Sequence, residues 1–242
     1  MEVYLNSVHG LDDAIVSMFL SKRTLTRELE EDIRHTYYML YEFDGFPMYY
    51  EQNKEAAEKF KKWTDSLFKW GWRHMTMLKF IDLSFTVYGL HRAGQDDWDS
   101  HAKRMDNRII RNSTRLANYE DNEMSDYYKD KIIPTDKALE ILNITKPNEI
   151  TYNNEVYVST PNGYVKKGFE NDKDVKRGLY MLSIPSNFIF KINLAEFAHI
   201  YKERNKNGTA NPEVKELAEE CLKQLSEFIP YIDSDYLFKI QN

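Results

Sequence analysis

The stretch FIFKINLAEFAHIYKER, from Phe188 to Arg204, changes its pattern once, at Asn193. Aromatic and β-branched residues precede Asn193, and this composition predicts a strand over Phe188–Asn193. After Asn193 the apolar residues recur at helical spacing, which predicts a helix over Leu194–Lys206. A strand leading directly into a helix indicates that the fold contains both a sheet and packed helices.

Similar patterns lie on both sides of this stretch. Strand composition predicts two further strands, Glu2–Ser7 and Leu83–Tyr88. Helical periodicity predicts helices at Leu11–Leu20, Asn53–Lys69, Arg92–Met105, Thr135–Leu142, Asp172–Tyr180 and Pro212–Phe228. Well-separated strands among helices predict an α+β fold, with a mixed or antiparallel sheet and surrounding helices.

The region between residues 133 and 168 has a different texture. Its segment EITYNNEVYVSTPNGYVKKG, Glu149 to Gly168, predicts small strands joined at Asn153-Asn154 and at Pro161-Asn162-Gly163. We interpret the region as an inserted β excursion and not as a second domain. The prediction is therefore one domain over residues 1–242.

Composition narrows the classes of function. The chain has 242 residues, 42% of them hydrophobic, and a formal net charge of -6, which disfavours general nucleic-acid binding. No apolar run reaches membrane-spanning length, and the start, MEVYLNSVHG, lacks the layout of a signal peptide. One cysteine excludes an intramolecular disulfide framework. We expect a cytoplasmic protein that binds neither membrane nor nucleic acid.

Several kinds of catalytic site are disfavoured by the sequence. The six histidines form no HxH or HExxH pair, so a metal site is not expected. There is no GxSxG motif and no glycine-rich phosphate loop. Cys221 shares a helical face with Leu217, Leu225 and Phe228, which predicts core packing for the cysteine and not a nucleophilic role.

The segment DNRIIRNSTRLANYE, Asp106 to Glu120, gathers arginines and hydroxyls in an acidic chain. Ser113-Thr114-Arg115 suits a phosphate, and it equally suits a capped helix end with solvated side chains. Arg177 and Arg204 lie in segments that otherwise resemble core. They are either helix-surface arginines or, converging with Arg115, a clamp for a phosphate and a pyrimidine carbonyl.

The order of the C-terminal segments resembles the flavin-dependent thymidylate synthase family. That family has an arginine, Leu-Pro-like residues, an aromatic strand ending in Asn, a helix ending in Arg, and an Ala-Gln-x-Glu-Ile/Val segment. Here Arg177 lies in DVKRGLYMLSIP, FIFKIN ends at Asn193, LAEFAHIYKER ends at Arg204, and TANPEV follows. Upstream, HMTML, LSFTV and GLHRAG resemble further family segments, and the resemblance covers roughly residues 2–229.

The signature motif of the family is degenerate in this chain. Its pattern is Arg-His-Arg-x-x-Ser-x-Asn-x-x-Ser-x-Arg. Counting forward from Arg92 places Ser100-His101-Ala102 on Arg-His-Arg, whereas counting back from Ser113-x-Arg115 places Lys103-Arg104-Met105 there. Both registers remain open, and both lack at least one arginine. The family's Gln in the preceding helix corresponds to Asp97.

The resemblance implies a reaction and a set of ligands. It implies reductive methylation of dUMP at C5 to give dTMP, with methylenetetrahydrofolate as the one-carbon donor, FAD as the hydride carrier and NADPH as the reductant. It also implies a homotetramer with shared active sites. Substrate contacts fall on Arg177, Arg204, Ser113, Arg115 and Arg111, with Arg204 also as the catalytic residue. Flavin contacts fall on Thr86, His101, Asn107, Arg108, Asn193 and His199.

Three interpretations compete at this point. The first is a working flavin-dependent thymidylate synthase. The second is a divergent enzyme that modifies a pyrimidine nucleotide on the same scaffold, and the third is a non-catalytic nucleotide-binding homologue. The retained Arg177, Arg204 and Ser113-x-Arg115 favour the first two, whereas the degenerate Arg-His-Arg motif favours the last two.

Overall fold

A computed structural model describes most of the chain, namely residues 1–42, 44–46, 51–100, 108–112, 124–160, 162–172, 175, 179 and 182–240. The side chain of Arg108 is outside this description. Most of the predicted helix Asp172–Tyr180 also lies outside the described residues.

The described residues alternate between strands and helices. The strands are β1 Glu2–His9, β2 Asp82–His91, β3 Arg108–Arg111, β4 Glu149–Tyr152, β5 Glu155–Thr160, β6 Gly163–Lys166 and β7 Pro185–Asn193. The α-helices are α1 Leu11–Ser21, α2 Arg27–Leu40, α3 Lys54–Gly71, α4 Arg92–Ser100, α5 Thr135–Ile141, α6 Leu194–Arg204, α7 Pro212–Phe228 and α8 Ser234–Lys239. A short 3-10 helix, Met77–Phe80, precedes β2.

The main sheet has four strands in the order β1-β2-β7-β3. β1 and β2 are antiparallel, because Gly10 after β1 lies beside Phe80 before β2, and Gly89 near the end of β2 lies beside Met1. Gly10 has φ 78°, and a Cβ there would lie 2.0 Å from the Phe80 carbonyl oxygen. Glycine is therefore required where β1 passes into α1.

The pairing of β2 with β7 is antiparallel as well. The Arg92 N–H donates to the Ile184 carbonyl oxygen at 3.0 Å, just beyond one end of the pair. At the other end the Leu194 N–H donates to the Ile81 carbonyl oxygen at 2.9 Å. These bonds place the start of α6 beside the start of β2, as the antiparallel part of the sheet prediction requires.

The alternating residues of β2 and β7 form one side of the core. Leu83, Phe85 and Val87 are fully buried, as are Phe190 and Ile192. The rings of Phe85 and Phe190 stack at 5.2 Å, and Trp98 of α4 meets Phe190 edge-on at 5.5 Å. Each such side chain contributes about 1.5–3 kcal/mol through burial, so the sheet and the helices that cover it form a stable frame.

The chain divides into two compact units. One contains Met1, Tyr88–Gln95 and Arg111–Phe188, and the other contains Glu2–Val87, Asp96–Ile110 and Ile189–Asn242. The second unit holds α1, α2, α3, α6, α7 and α8 together with most of the buried apolar residues.

The first unit contains a small antiparallel sheet in the order β4-β5-β6. The turn between β4 and β5 is formed by Asn153 and Asn154, both with positive φ (51° and 63°), as the predicted Asn-Asn turn requires. Val165 is buried, whereas all four residues of β4 are exposed. The sheet and α5 lie within the segment predicted as an excursion.

Two local differences from the sequence prediction have physical causes. Helix α6 ends at Arg204 and not at Lys206, because the Asn205 side chain donates to the carbonyl oxygens of Tyr201 and Lys202 at 2.9 and 2.7 Å. Helix α2 is absent from the prediction although Thr26 caps it by accepting the Leu29 N–H at 3.2 Å. The α+β class itself is confirmed.

No helix among the described residues is both long and apolar enough to cross a membrane.

Candidate active site

Helix α6 carries the best-defined candidate residue at its end. Asn193 caps the helix, with its side-chain oxygen accepting the Glu196 N–H at 2.9 Å. Eight of the eleven residues of the helix are buried, Phe197, Ile200 and Tyr201 among them, which fixes the helix in the core. Its last residue, Arg204, is therefore held inside the protein and not on a solvated helix surface. This excludes the helix-surface alternative for Arg204.

The guanidinium of Arg204 is bound by the last turn of α4. Its Nη2 lies 2.8 Å from Asp97 Oδ1, and the Arg204 side chain is 8% exposed. The same nitrogen donates to the Asp97 carbonyl oxygen at 3.2 Å and to the Ser100 hydroxyl oxygen at 3.3 Å. A cation at the C-terminal end of a helix is also favoured by the helix dipole. Three oxygens thus converge on one nitrogen.

A second nitrogen of the guanidinium, Nε, has no protein partner among the described residues. Arg204 Nε is buried and makes no hydrogen bond among the described residues. A buried donor without a partner costs about 1–3 kcal/mol, so such groups commonly mark the place of a ligand or a water molecule. This N–H can donate to a carbonyl or phosphate oxygen of a substrate.

Three of the residues predicted to contact a flavin are described with their side chains. The Thr86 hydroxyl bonds to Asn6 of β1, accepting from Nδ2 at 2.9 Å. Asn193 is buried and uses its side-chain oxygen as a helix cap. His199 is half-buried on α6. The Thr86 hydroxyl also donates to Asn6 Oδ1 at 3.3 Å, so its oxygen can only accept a further hydrogen bond, whereas the Asn193 amide nitrogen can donate one.

Strand β3 lies near the beginning of the segment Asp106 to Glu120, which gathers arginines and hydroxyls. Its last residue, Arg111, is half-buried. The next residue, Asn112, donates its backbone N–H to the Asn187 carbonyl oxygen at 2.9 Å, which ties this end of β3 to β7. The stretch therefore begins as sheet.

The other predicted site residues lie outside the described part of the chain. These are His101, Asn107, Ser113, Arg115 and Arg177, together with the side chain of Arg108. The predicted convergence of Arg177 and Arg204 with Ser113 and Arg115 stays a prediction.

The sequence prediction missed two contributors, Asp97 and Ser100. Both face Arg204, yet 107 and 104 positions separate them from it. The sequence does contain one signal for them. Asp97 stands at the position of the family's Gln, and Ser100 stands at the first Arg of the Arg-His-Arg motif when the motif is counted forward from Arg92. No periodicity could have identified them as partners of Arg204.

Cys221 is unsuited to nucleophilic catalysis. It is a free, fully buried cysteine on α7, and this burial raises the pKa of its thiol well above the usual value. A thiol in that state holds its proton and reacts poorly. Among the described residues, no group of histidine, cysteine and carboxylate side chains could hold a metal ion.

A cavity of about 820 Å³ lies elsewhere in the second unit, beside α1, α3 and the end of α7. Tyr41, Phe68, Phe228 and Tyr231 contribute aromatic surface to it. None of the described residues that line it is a predicted site residue. Size alone therefore does not identify the site, and the buried, incompletely paired Arg204 is the stronger indication.

A family model described as thymidylate synthase complementing protein matches residues 24–231. The chain belongs to this family. The match includes α4, α6 and every predicted site residue from Thr86 to Arg204, and it confirms the family resemblance found in the sequence. No curated protein matches this family member significantly.

Solved structures share the fold of this member of the thymidylate synthase complementing protein family. Thymidylate synthase X from Helicobacter pylori with FAD and dUMP is 15% identical over 98% of this chain and 99% of that chain, with a TM-score of 0.58. A second structure from Helicobacter pylori, flavin-dependent thymidylate synthase ThyX complexed with FAD and dUMP, is 13% identical over 100% and 98%, with a TM-score of 0.54. The UMP/dUMP methylase PolB from Streptomyces cacaoi, bound with 5-Br dUMP, is 12% identical over 98% and 94%, with a TM-score of 0.53.

Proposed function

We propose that the protein converts dUMP to dTMP by reductive methylation at C5. Methylenetetrahydrofolate supplies the one-carbon unit, and NADPH reduces the FAD. The observation that carries the proposal is a buried arginine, Arg204, whose Nε has no protein acceptor among the described residues. Family membership and the FAD and dUMP in the similar Helicobacter pylori structures support it.

Arg204 acts on the substrate by electrostatics. Its Nε–H donates to a carbonyl oxygen of the uracil ring and stabilises negative charge that develops there during the reaction. Because the guanidinium is anchored by Asp97 before substrate binds, little reorganisation is needed. No protein nucleophile takes part, in agreement with the burial of Cys221.

The described polar side chains suit a flavin. Asn193 and His199 would supply an amide and an imidazole for the carbonyl groups or phosphates of the cofactor, and the Thr86 oxygen would accept from a flavin N–H. When bound, FAD supplies the hydride chemistry that these side chains cannot perform. The role of the protein is to bind and orient the cofactor and the nucleotide. Flavin binding is weaker than in relatives with an intact Arg-His-Arg motif, by about 1.5–3 kcal/mol per lost contact.

The protein assembles as a homotetramer in this proposal. The segments YYMLYEF and FKWGW place Tyr38 and Trp70 on the surface, and the main sheet exposes Tyr4 and Ile189. Aromatic residues are enriched at protein interfaces, so we expect exposed residues of this kind to contact further copies of the chain. Light scattering at micromolar concentration should give four chains per particle, and a monomer would contradict the assembly.

The proposal also covers the cellular location of the enzyme and the organisation of its domain. A single free cysteine suits the reducing cytoplasm, where we place the enzyme. The segment 133–168 is an insertion into one catalytic domain.

The direct test is turnover. Purified protein is incubated with dUMP, methylenetetrahydrofolate, NADPH and FAD, and the product is analysed by mass spectrometry. The expected product is dTMP, which is heavier than dUMP by about 14 mass units, the mass of the transferred CH₂ group. Arg204→Ala should lose this activity, and absence of dTMP with the wild-type protein in the presence of bound flavin would exclude the proposal.

A second candidate is a divergent pyrimidine-nucleotide methylase. Asp97 offsets the charge of Arg204, and a less cationic site need not select the same nucleotide as its relatives. Parallel assays with UMP and dUMP decide between the two activities. A non-catalytic homologue would bind nucleotide and produce neither methylated product.

A further inference from the structure

The proposed reaction makes no use of the cavity beside α1, α3 and the end of α7. Its volume, about 820 Å³, lies within the range of about 300–1,000 Å³ that is typical of pockets for small molecules. The Arg204 guanidinium is held by Asp97 and Ser100 of α4, and none of these three residues lines the cavity. The cavity is therefore a candidate ligand site in its own right.

Aromatic side chains give the cavity walls of defined orientation. The aromatic residues that line it are Tyr41, Phe68, Phe228 and Tyr231. The rings of Phe68 and Tyr231 stack at 5.3 Å, and Phe46 stacks on Phe228 at 4.3 Å. Because neighbouring rings hold these walls in place, the site is largely formed before a ligand enters. Such walls suit an apolar group or, through the negative face of each ring, a cation.

One ammonium group of the protein already uses a ring of this cavity. Lys61 Nζ lies 5.7 Å from the centroid of the Tyr231 ring and 3.0 Å from Asp65 Oδ2. The contact shows that the face of Tyr231 accepts a cation. Because Asp65 offsets the charge of Lys61, this lysine offers little attraction to an anionic ligand.

The other charged residues that line the cavity are acidic. Among the residues that the structure describes, they are Glu51, Glu58 and Glu227. None of these three carboxylates forms an ion pair within the described part of the chain. Three carboxylates beside one neutralised lysine give the cavity a negative potential, which attracts cations and repels anions.

Two helix ends at the cavity act in the same direction. Helix α7 ends there, and its last turn contains no basic residue that would offset the negative end of its dipole. Helix α1 begins there with Leu11, but Asp12 and Asp13 in its first turn offset the positive end. The end that is not compensated is therefore the negative one, and it favours a cation.

We propose that this cavity is a binding site for a small organic cation. The apolar or aromatic part of the ligand packs against the aromatic walls, and its quaternary or protonated nitrogen is held by the rings and the carboxylates. The site is separate from the nucleotide site of the proposed function, and its existence does not depend on that function.

Three probes with the same benzyl group and different charges test the assignment. They are benzyltrimethylammonium, benzyl alcohol and phenylmethanesulfonate, each titrated into the full chain and followed by saturation-transfer NMR. Benzyltrimethylammonium should bind at least about tenfold more tightly than phenylmethanesulfonate, with benzyl alcohol between them. Equal affinities, tighter binding of the sulfonate, or no detectable binding of the ammonium would overturn the proposal.

A substitution of one carboxylate locates the bound probe. Glu227→Gln should weaken benzyltrimethylammonium about threefold and leave the affinity for benzyl alcohol unchanged. Glu216→Gln is the matched control, because Glu216 is an exposed residue of the same helix and does not line the cavity. Equal shifts in the two variants would mean that the overall charge of the chain attracts the cation, and the assignment to the cavity would be wrong.

A substitution of Lys61 should change the affinity in the opposite direction. Lys61→Met keeps a long apolar side chain and removes the competing cation from the face of Tyr231, so benzyltrimethylammonium should bind about threefold more tightly. Weaker binding of the ammonium to Lys61→Met, or a loss of sulfonate binding in this variant, would show that Lys61 serves an anion and would contradict the proposal. Thermal melting verifies that each variant is folded.

Discussion

Arg34 and Arg204 show two different uses of an arginine in the same compact unit. Arg34 of α2 is saturated by carboxylates: its Nη1 contacts Asp12 at 3.0 Å and Asp13 at 2.9 Å, and its Nη2 contacts Glu30 at 3.1 Å. Its Nε also donates to Glu30, at 3.1 Å. Arg204 is far more buried and yet pairs with one carboxylate among the described residues, through one nitrogen.

The difference is the basis for proposing Arg204, and not Arg34, as a site residue. Three carboxylates leave Arg34 little capacity for a ligand, and its role is to join α1 to α2. Arg204 carries the larger desolvation cost and has fewer partners to offset it. The proposed role of Arg204 therefore rests on its incomplete pairing at a buried position, and not on burial or charge alone.

The largest expected effect is on nucleotide binding. Arg204→Ala removes a buried charge-assisted donor and should weaken dUMP binding by about 1.5–3 kcal/mol. Arg34→Ala is the control and should leave the dUMP dissociation constant within about twofold of wild type. Calorimetry on folded protein, checked by thermal melting, measures both. Equal losses in the two variants would remove the distinction between the arginines.

The next effect is on stability. Arg34→Ala leaves the buried Asp12 without its cation and should lower the free energy of unfolding by about 1 kcal/mol, because Arg34 is 36% exposed and water screens the network. Burial, followed by repulsion from Asp13, already raises the pKa of Asp12 above its usual value. Denaturant unfolding provides the measurement, and an unchanged midpoint would show that the network is not structural.

The raised pKa of Asp12 also predicts the sign of a pH dependence. The folded state holds the proton of Asp12 more tightly than the unfolded chain, so ionised Asp12 lowers stability at neutral pH. This cost is fully present above the folded pKa and is relieved as the pH falls toward the ordinary aspartate value of 3.8. The difference in unfolding free energy between wild type and Asp12→Asn, followed from about pH 7 to about pH 4, should therefore shrink. A constant difference would argue against a raised pKa.

A smaller effect on turnover is expected when Cys221 is replaced. This variant tests whether the reaction proceeds without a protein nucleophile, with Arg204 acting by electrostatics alone. Since burial raises the pKa of its thiol, the native protein should not react with a thiol reagent at about pH 8, and unfolding should release one reactive thiol per chain. Cys221→Ala should retain dTMP formation within about twofold once its folding is verified. Complete loss of turnover in a folded Cys221→Ala protein would assign the cysteine a chemical role.

The smallest effect is expected at Arg27, an exposed arginine that belongs to no network of ion pairs among the described residues. It is 88% exposed and pairs with Glu31 at 3.0 Å, one helical turn away. Arg27→Ala should change the free energy of unfolding by no more than about 0.5 kcal/mol. A larger change in denaturant unfolding would mean that exposed ion pairs in α2 contribute more to stability than the comparison of Arg34 with Arg204 assumes.

Elements with strong local signals are predictable from sequence. Helix α7 has the predicted bounds, Pro212–Phe228, because Pro212 and the Asn211 cap define its start and an apolar stripe defines its length. Helix α2 carries comparable signals, with Thr26 as its cap and Ile33, Tyr37 and Leu40 buried. The sequence prediction lacks this helix although both signals are present in the sequence.

The site is predictable only in part. Arg204 is identifiable because its segment resembles a family helix that ends in arginine. Its anchoring is not, since Asp97 lies 107 positions earlier in the chain and meets Arg204 only through the tertiary packing of α4 and α6. Long-range pairs of this kind leave no periodic signal in a single sequence.

A structure of the protein with dUMP tests the central claim most directly. We predict that a uracil carbonyl oxygen lies within about 3.2 Å of Arg204 Nε, with Nη2 still bound to Asp97. A complex in which dUMP binds elsewhere, or in which Arg204 Nε keeps no acceptor, would contradict the account.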